Sequence, residues 1–176
     1  MPTVTAMDNP SRRRFLTGTK TVAPIAIRPP WTDQDRIAQN CTRCGDCITA
    51  CPEKVLVVDG AGFPTFDPNN SREGCTFCKA CASVCTFDVF DLTQAQPWTT
   101  KVAIDVSTCL PTAGVHCESC RDACLADAIR LRPRIGGPAI PAFDLDACTG
   151  CGACVPVCPV DALTVSALST PSEHHP

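Results

Sequence analysis

The sequence predicts an α+β fold with little regular secondary structure, arranged as two tandem copies of one small module. Three observations support this prediction. Cysteine accounts for 16 of the 176 residues, and these cysteines fall into four groups. The groups recur at fixed offsets along the chain, which is the signature of an internal repeat. The segments between the groups are short runs of β-forming residues bounded by Gly and Pro, which are typical of short strands joined by turns.

The four cysteine groups form a repeat within a repeat. They are Cys41-Cys44-Cys47-Cys51, Cys75-Cys78-Cys81-Cys85, Cys109-Cys117-Cys120-Cys124 and Cys148-Cys151-Cys154-Cys158, here called motifs one to four. The last three cysteines of motif one recur 34 residues later in motif two, and those of motif three recur 34 residues later in motif four. The two halves are offset by 73 residues. The sequence therefore predicts a tail over 1–30, a first module over 31–95, a second module over 96–168 and a short tail over 169–176.

Each predicted module contains two strands and two short helices around its cysteines. The runs Val55–Val58 and Lys101–Ile104 have the composition of strands. Asp59-Gly60, directly after the first run, is a hairpin-turn signal. Each cysteine motif is expected to be a loop that leads into about one helical turn, as in Cys47–Cys51, where Pro52 ends the helix.

The spacing of the cysteines predicts iron–sulfur clusters. A Cys-x₂-Cys-x₂-Cys loop supplies three thiolates from one backbone turn, and in two-cluster ferredoxins the fourth cysteine of the run ligates the other cluster. The 34-residue offsets favour pairing motif one with two, and three with four. The expected fold is therefore two tandem bacterial 2[4Fe–4S] ferredoxin-like modules carrying four [4Fe–4S] clusters. The predicted ligands are Cys41, Cys44, Cys47 and Cys85 for the first cluster, Cys75, Cys78, Cys81 and Cys51 for the second, Cys109, Cys117, Cys120 and Cys158 for the third, and Cys148, Cys151, Cys154 and Cys124 for the fourth.

Other interpretations of the cysteines stay open at this point. Motif one could pair with four and two with three, as in some larger four-cluster subunits. Zinc sites usually use two Cys-x₂-Cys pairs separated by a spacer, and disulfide geometry disfavours pairing cysteines three apart in a loop. Motif three differs from the others, because seven residues separate Cys109 from Cys117. Either its first ligand arrives on a longer loop, or the third site is a three-iron or labile cluster.

Composition and charge exclude several classes of function. The formal charge is −3, with no basic stripe of the kind that binds nucleic acid. Sixteen thiolates and four cores of about +2 would bring the loaded chain to about −11, which favours redox partners with a basic docking face. No stretch approaches the roughly 18 apolar residues of a membrane span. We find no nucleophile–base pair or acidic dyad, so we expect an electron carrier and not an enzyme. His116, beside Cys117, is expected to be a surface loop residue.

The whole chain resembles the NapF family, the ferredoxin-type proteins of periplasmic nitrate reductase systems. The resemblance rests on the N-terminal pieces and on the long gap in motif three, since the other cysteine motifs are shared by many ferredoxins. The matching pieces are Ser11-Arg12-Arg13-Arg14-Phe15-Leu16-Thr17-Gly18, Ile27-Arg28-Pro29-Pro30-Trp31, Cys41-Thr42-Arg43-Cys44, Cys109-Leu110 with the gap to Cys117, and Cys148-Thr149-Gly150-Cys151-Gly152-Ala153-Cys154. It implies a cytoplasmic four-cluster protein that interacts with the catalytic subunit of periplasmic nitrate reductase, supplying electrons or helping its metal centres to mature.

Two further points concern location and role. Ser11–Leu16 resembles a twin-arginine export signal, but such a signal needs an apolar stretch of about 7–15 residues and a small-residue cleavage site. The apolar run from Val22 is interrupted by Pro24 and closed by Arg28. We therefore expect a cytoplasmic protein whose basic N-terminal arm touches a partner or stays solvated. The alternative function is a stable electron-relay subunit of another membrane-linked oxidoreductase.

Overall fold

The computed structural model describes residues 26–167, so the basic run Arg12–Arg14 and the end of the chain from residue 168 lie outside the described residues. The first half contains one hairpin and short helices. Its elements are helix α1 (Gln34–Asn40), helix α2 (Asp46–Thr49), strand β1 (Leu56–Val58), strand β2 (Pro64–Phe66), a 3₁₀ turn (Pro68–Asn70) and helix α3 (Ala80–Ser83). Strands β1 and β2 pair antiparallel, with Leu56 opposite Phe66. The expected Asp59-Gly60 turn joins them, and Asp59 N donates to Phe63 O at 2.8 Å.

The second half has more strand and less helix than the first. Its elements are strand β3 (Thr100–Ile104), helix α4 (Ser119–Asp122), strand β4 (Ile129–Arg134), strand β5 (Gly137–Phe143) and strand β6 (Leu163–Ala167). The outer strands β3 and β6 pair antiparallel over five residues, which ties the two ends of this module together. The inner strands β4 and β5 form a hairpin with a bulge between Arg132 and Arg134. The prediction of two strands per module therefore describes the first half and underestimates the second.

The helical turn expected in each cysteine motif is present in three motifs and absent from the fourth. Helices α2, α3 and α4 begin at Asp46, Ala80 and Ser119, inside motifs one, two and three. The fourth motif forms hydrogen-bonded turns, in which Val155 N donates to Gly152 O at 3.0 Å. Pro156 explains the difference, because it has no N–H and disfavours helical backbone at the residue before it.

The segment before Trp31 packs onto the first module, whereas the sequence had suggested a tail up to residue 30. Pro29 and Pro30 are among the largest fully buried side chains. The guanidinium of Arg28 contacts the Asp59 carboxylate at 2.8 Å in the hairpin turn. Ile27 O accepts hydrogen bonds from Phe66 N at 2.7 Å and from Thr65 Oγ1 at 2.9 Å. Residues 26–30 thus lie beside β2, in the position that a further strand next to β2 would occupy.

Two small apolar clusters form the core, one in each module. The first contains Val55, Leu56, Phe66 and Cys81, and the second contains Val102, Ile129, Cys154, Val155 and Leu163. Val165 of β6 packs against both clusters, so the modules share one side chain of their cores. Within residues 26–167 no helix has the length and apolar character needed to cross a bilayer.

Candidate metal centres

The cysteines surround four separate cavities, each lined by four of them. We call these cavities sites 1 to 4. Site 1 is lined by Cys41, Cys44, Cys47 and Cys85, site 2 by Cys51, Cys75, Cys78 and Cys81, site 3 by Cys109, Cys117, Cys120 and Cys158, and site 4 by Cys124, Cys148, Cys151 and Cys154. All sixteen cysteines lie within residues 26–167 and all are free thiols. The structure thus brings together the same sets that the sequence spacing predicts, and each set combines motifs one and two or motifs three and four.

In motifs one and two the crossing of ligands takes place across short helical turns. Cys47 and Cys51 lie at opposite ends of the α2 turn, and Cys47 lines site 1 while Cys51 lines site 2. Cys81 and Cys85 do the same around α3 in the reverse sense. Residues four apart on a helical turn are displaced by about 6 Å along its axis, so the two cysteines reach two neighbouring cavities. Each helical turn therefore connects two neighbouring sites.

The three-cysteine loops are curled by left-handed backbone on both sides of their second cysteine. In motif one these positions are Arg43 with φ 64° and Gly45 with φ 83°. In motif two they are Phe77 with φ 55° and Lys79 with φ 65°. In motif four they are Gly150 with φ 73° and Gly152 with φ 81°, the two loop glycines that the sequence draws attention to. A left-handed non-glycine residue costs roughly 1–2 kcal/mol, so the surrounding fold must enforce it.

Motif three reaches the same arrangement by a different route. A loop from Cys109 carries turns in which Thr112 N donates to Cys109 O at 3.1 Å and Val115 N to Leu110 O at 3.0 Å. Arg134 on the β4–β5 hairpin donates to Pro111 O at 2.7 Å and fastens the loop. The loop returns the chain so that Cys109 and Cys117 line the same cavity. His116 is exposed and is not among the residues that line site 3.

Site 1 has the largest cavity of the four sites. Its cavity measures about 250 Å³, against about 20 Å³ for each of the other three. Cys44 is exposed, whereas Cys109 and Cys154 in the second module are buried. The rim of site 1 includes Val58 and Phe87, which are 60% and 48% exposed. Cys78 of site 2 is exposed as well, so a partner can reach a cysteine at either site of the first module.

Burial makes several of the thiols weaker acids than an ordinary cysteine. It raises the pKa of Cys47, Cys75 and Cys120 to about 11, and the charges of neighbouring sulfurs in the same quartet add to the effect. Burial also raises the pKa of Cys81 and Cys154 to about 12 for the same two reasons. Four thiolates around one cavity repel one another unless a cationic group lies between them. A metal centre that binds thiolates would therefore displace protons from these cysteines.

The donor set fits a polynuclear iron–sulfur group. Among residues 26–167, no group of three or more His, Cys, Asp or Glu side chains is placed to hold a metal ion. The cysteines of each quartet are spread instead around the walls of a cavity, and the only carboxylate residues in these linings are Asp46 at site 1 and Glu53 at site 2. Cysteine thiolates in sets of four are the ligands of [4Fe–4S] clusters. Main-chain N–H groups also reach sulfurs, as where Ala162 N donates to Cys158 Sγ at 3.3 Å.

Comparison with known proteins agrees with this chemistry. The family model described as "4Fe-4S dicluster domain" matches residues 40–89 and 115–162, one segment in each module. The chain is 38% identical to the ferredoxin-type protein NapF of Escherichia coli strain K12, over 90% of this chain and 95% of that protein. It is 40% identical to the NapF of Haemophilus influenzae, over 94% of this chain and 88% of that protein. It is also 30% identical to the ferredoxin-type protein NapG of H. influenzae, over 91% of this chain and 72% of that protein. The chain belongs to the NapF family of ferredoxin-type proteins, which are iron–sulfur electron carriers built from 4Fe-4S dicluster domains.

Proposed function

We propose that the chain binds four [4Fe–4S] clusters, one at each of sites 1 to 4, with the ligand sets that line those cavities. The observation that carries the proposal is the grouping of sixteen free cysteines into four quartets, each drawn from two motifs of one module. The two matched dicluster segments support two clusters per module. Site 3 takes the same kind of cluster as the others, because Cys109 lines its cavity in spite of the long loop.

The residues of the chain perform three tasks in this function. When bound, a cluster of this type takes up and releases one electron at a time. The cysteine thiolates hold it, and the crossed arrangement around α2 and α3 keeps two sites of a module at a fixed separation. Apolar side chains such as Val55 and Leu56 at site 2, and Ile104 and Leu163 at site 3, limit the access of water. Main-chain donors to sulfur, Arg43 N to Cys41 Sγ at site 1 and Ala162 N to Cys158 Sγ at site 3, shift the reduction potentials of those sites.

We further propose that the protein is a cytoplasmic electron donor or maturation factor for the catalytic subunit of periplasmic nitrate reductase. This role is supported by the resemblance to the NapF family, which extends over nine tenths of the chain at 38–40% identity. The open rim of site 1, with Val58 and Phe87 exposed, offers a place for a transient partner. Such contacts would form before the catalytic subunit leaves the cytoplasm.

A pull-down tests this role. The holoprotein, carrying a C-terminal affinity tag, is expressed with the precursor of the catalytic subunit. In the control strain, the mature subunit is instead fused to a periplasmic signal of another export pathway. The proteins captured from the two strains are then compared. Capture of the cytoplasmic precursor in substoichiometric amounts is the expected result. Absence of the precursor from the captured fraction contradicts the role. Copurification of a membrane-linked oxidoreductase at fixed stoichiometry would establish the alternative, a stable electron-relay subunit.

A further inference from the structure

The two modules meet at residues that line metal sites. The main-chain N–H of Cys75 donates to the main-chain carbonyl oxygen of Cys151 at 2.7 Å. Cys75 lines site 2 of the first module and Cys151 lines site 4 of the second. A single hydrogen bond therefore joins the backbone of a residue at one site to the backbone of a residue at another. We call this contact and the glycines beside it the junction.

Two glycines allow the backbones to come this close. Gly74 has φ +68°, and a Cβ atom there would lie 2.5 Å from Cys151 O and 2.6 Å from Ala153 N. Gly152 has φ +81°, and a Cβ atom there would lie 2.8 Å from Phe66 Cζ and 2.8 Å from Pro68 Cβ of the first module. Each module thus contributes one glycine, and atoms of the other module occupy the space that a side chain on that glycine would need. Because the neighbours of Gly74 are backbone atoms, they cannot move aside without separating the modules.

Trp98 fastens the junction from one side. Its indole N–H donates to Thr149 O at 2.8 Å, next to Cys148 of site 4. Its ring packs edge-on against Phe66 at 4.8 Å and Phe77 at 5.6 Å between centroids, and Phe77 lines site 2. An aromatic side chain that contacts both modules resists their relative rotation.

We propose, on the basis of the function proposed above, that the four sites form one relay in the order 1, 2, 4, 3, and that the junction is the step between modules. Within a module, neighbouring sites share a helical turn or loop: Cys47 and Cys51 connect sites 1 and 2, and Cys120 and Cys124 connect sites 3 and 4. Between modules, Cys75 and Cys151 connect sites 2 and 4. In the transfer, a reduced [4Fe–4S] group at one of these two sites is oxidised by one electron and an oxidised group at the other is reduced by one. No bond breaks and no proton moves.

This order makes sites 1 and 3 the two ends of the relay. Site 1 has the largest of the four cavities and an exposed cysteine, Cys44, so it suits exchange with a partner. Sites 2 and 4 are the inner pair of this order, although Cys78 of site 2 is exposed as Cys44 of site 1 is. The sequence repeat alone would leave the modules equivalent and does not say which sites are adjacent.

A pair of double variants tests the order in the full-length holoprotein. Cys85→Ala with Cys158→Ala removes one ligand each from sites 1 and 3 and leaves sites 2 and 4. Cys51→Ala with Cys124→Ala removes one ligand each from sites 2 and 4 and leaves sites 1 and 3. After dithionite reduction, EPR of the first variant is expected to show magnetic interaction between its two remaining clusters, and EPR of the second to show two isolated S = 1/2 signals. Interaction of equal strength in both, or in the second alone, would overturn the order.

A second test leaves every ligand in place. Gly74→Ala is compared with Gly136→Ala, which has the same left-handed backbone, φ +75°, but nothing within 4 Å of an added Cβ. Both variants are expected to keep the iron content of the parent chain. Gly74→Ala should lose the interaction broadening that arises between modules, whereas Gly136→Ala should keep it. An unchanged Gly74→Ala spectrum at full iron content overturns the proposal. The proposed function fails separately, when the parent chain itself binds no iron, so the two failures are distinguishable.

Discussion

At the scale of single residues, the cysteines of one motif line two different cavities. Cys51 belongs to motif one by sequence but lines site 2 together with three cysteines of motif two. Cys44, seven residues earlier, lines site 1. Membership of a motif alone therefore does not identify the site that a cysteine lines.

Substitution of Cys51 should consequently resemble a defect in motif two. In Cys51→Ala, we expect loss of about a quarter of the iron and loss of the same EPR signal that Cys78→Ala removes. Cys44→Ala, which alters motif one as Cys51→Ala does, is the matched control and should remove a different signal. EPR of the three reduced variants, recorded at equal protein concentration, is the measurement. A Cys51→Ala spectrum that matches Cys44→Ala would show that the ligands are not crossed.

The cysteine quartets could be predicted from sequence because the spacing of the cysteines within and between the motifs determines them. Four ligands per motif, repeated at fixed offsets, leave few ways to assemble four sites. The left-handed backbone at Arg43, Phe77 and Lys79 could not be predicted in the same way. None of these residues is glycine, so the sequence carries no signal for that conformation. Beside the second cysteine of a motif, glycine marks this conformation only at Gly45 of motif one and at Gly150 and Gly152 of motif four.

At the scale of elements, the ends of the two modules are closed differently. In the second module β3 pairs with β6, whereas in the first module residues 26–30 lie beside β2. The Arg28–Asp59 pair fastens that segment, and Arg28 also donates to Pro64 O at 3.1 Å. Burial alone would raise the pKa of Asp59, but the N–H groups of Phe63 and Ala61 and the Arg28 guanidinium together hold it below its usual value. The carboxylate is therefore charged at neutral pH.

Asp59→Asn should loosen residues 26–30 without removing a cluster. Loss of a charge-assisted hydrogen bond costs about 1 kcal/mol, which corresponds to roughly fivefold faster local opening. This opening is measured by hydrogen exchange of the amides in residues 26–30, followed by mass spectrometry at neutral pH. Asp146→Asn makes the same charge change at an exposed position of the second module and should leave exchange in 26–30 unchanged. Equal exchange in Asp59→Asn and the parent chain would mean that the ion pair does not hold the segment.

Element-level packing was harder to predict than the sites because it depends on contacts between residues with no distinctive chemistry. Ile27, Pro29 and Pro30 look like linker residues by composition, yet they are part of the first module. The fourth motif lacks a helix because of Pro156. Strand β4 alternates apolar and charged residues from Ile129 to Arg132, whereas β5 contains Gly137, Pro138 and Pro141 and has no such alternation.

At the scale of the whole molecule, the apolar core is too small to explain the fold by itself. The largest fully buried side chains are Ile37, Val55, Pro29, Pro30 and Pro111. Between the two small apolar clusters, the cysteine quartets occupy the positions that larger core side chains would fill in an ordinary domain of this size. Because ligands converge only in the folded chain, cluster binding contributes directly to folding free energy. The number of clusters is therefore central both to stability and to function.

Iron and acid-labile sulfide per chain, determined on anaerobically purified protein together with EPR after dithionite reduction, test that number most directly. Four [4Fe–4S] clusters predict about sixteen of each, with interacting S = 1/2 signals. About twelve or fewer of each from intact protein would contradict the assignment. Site 3, with the long loop between Cys109 and Cys117, would then be the first site to re-examine.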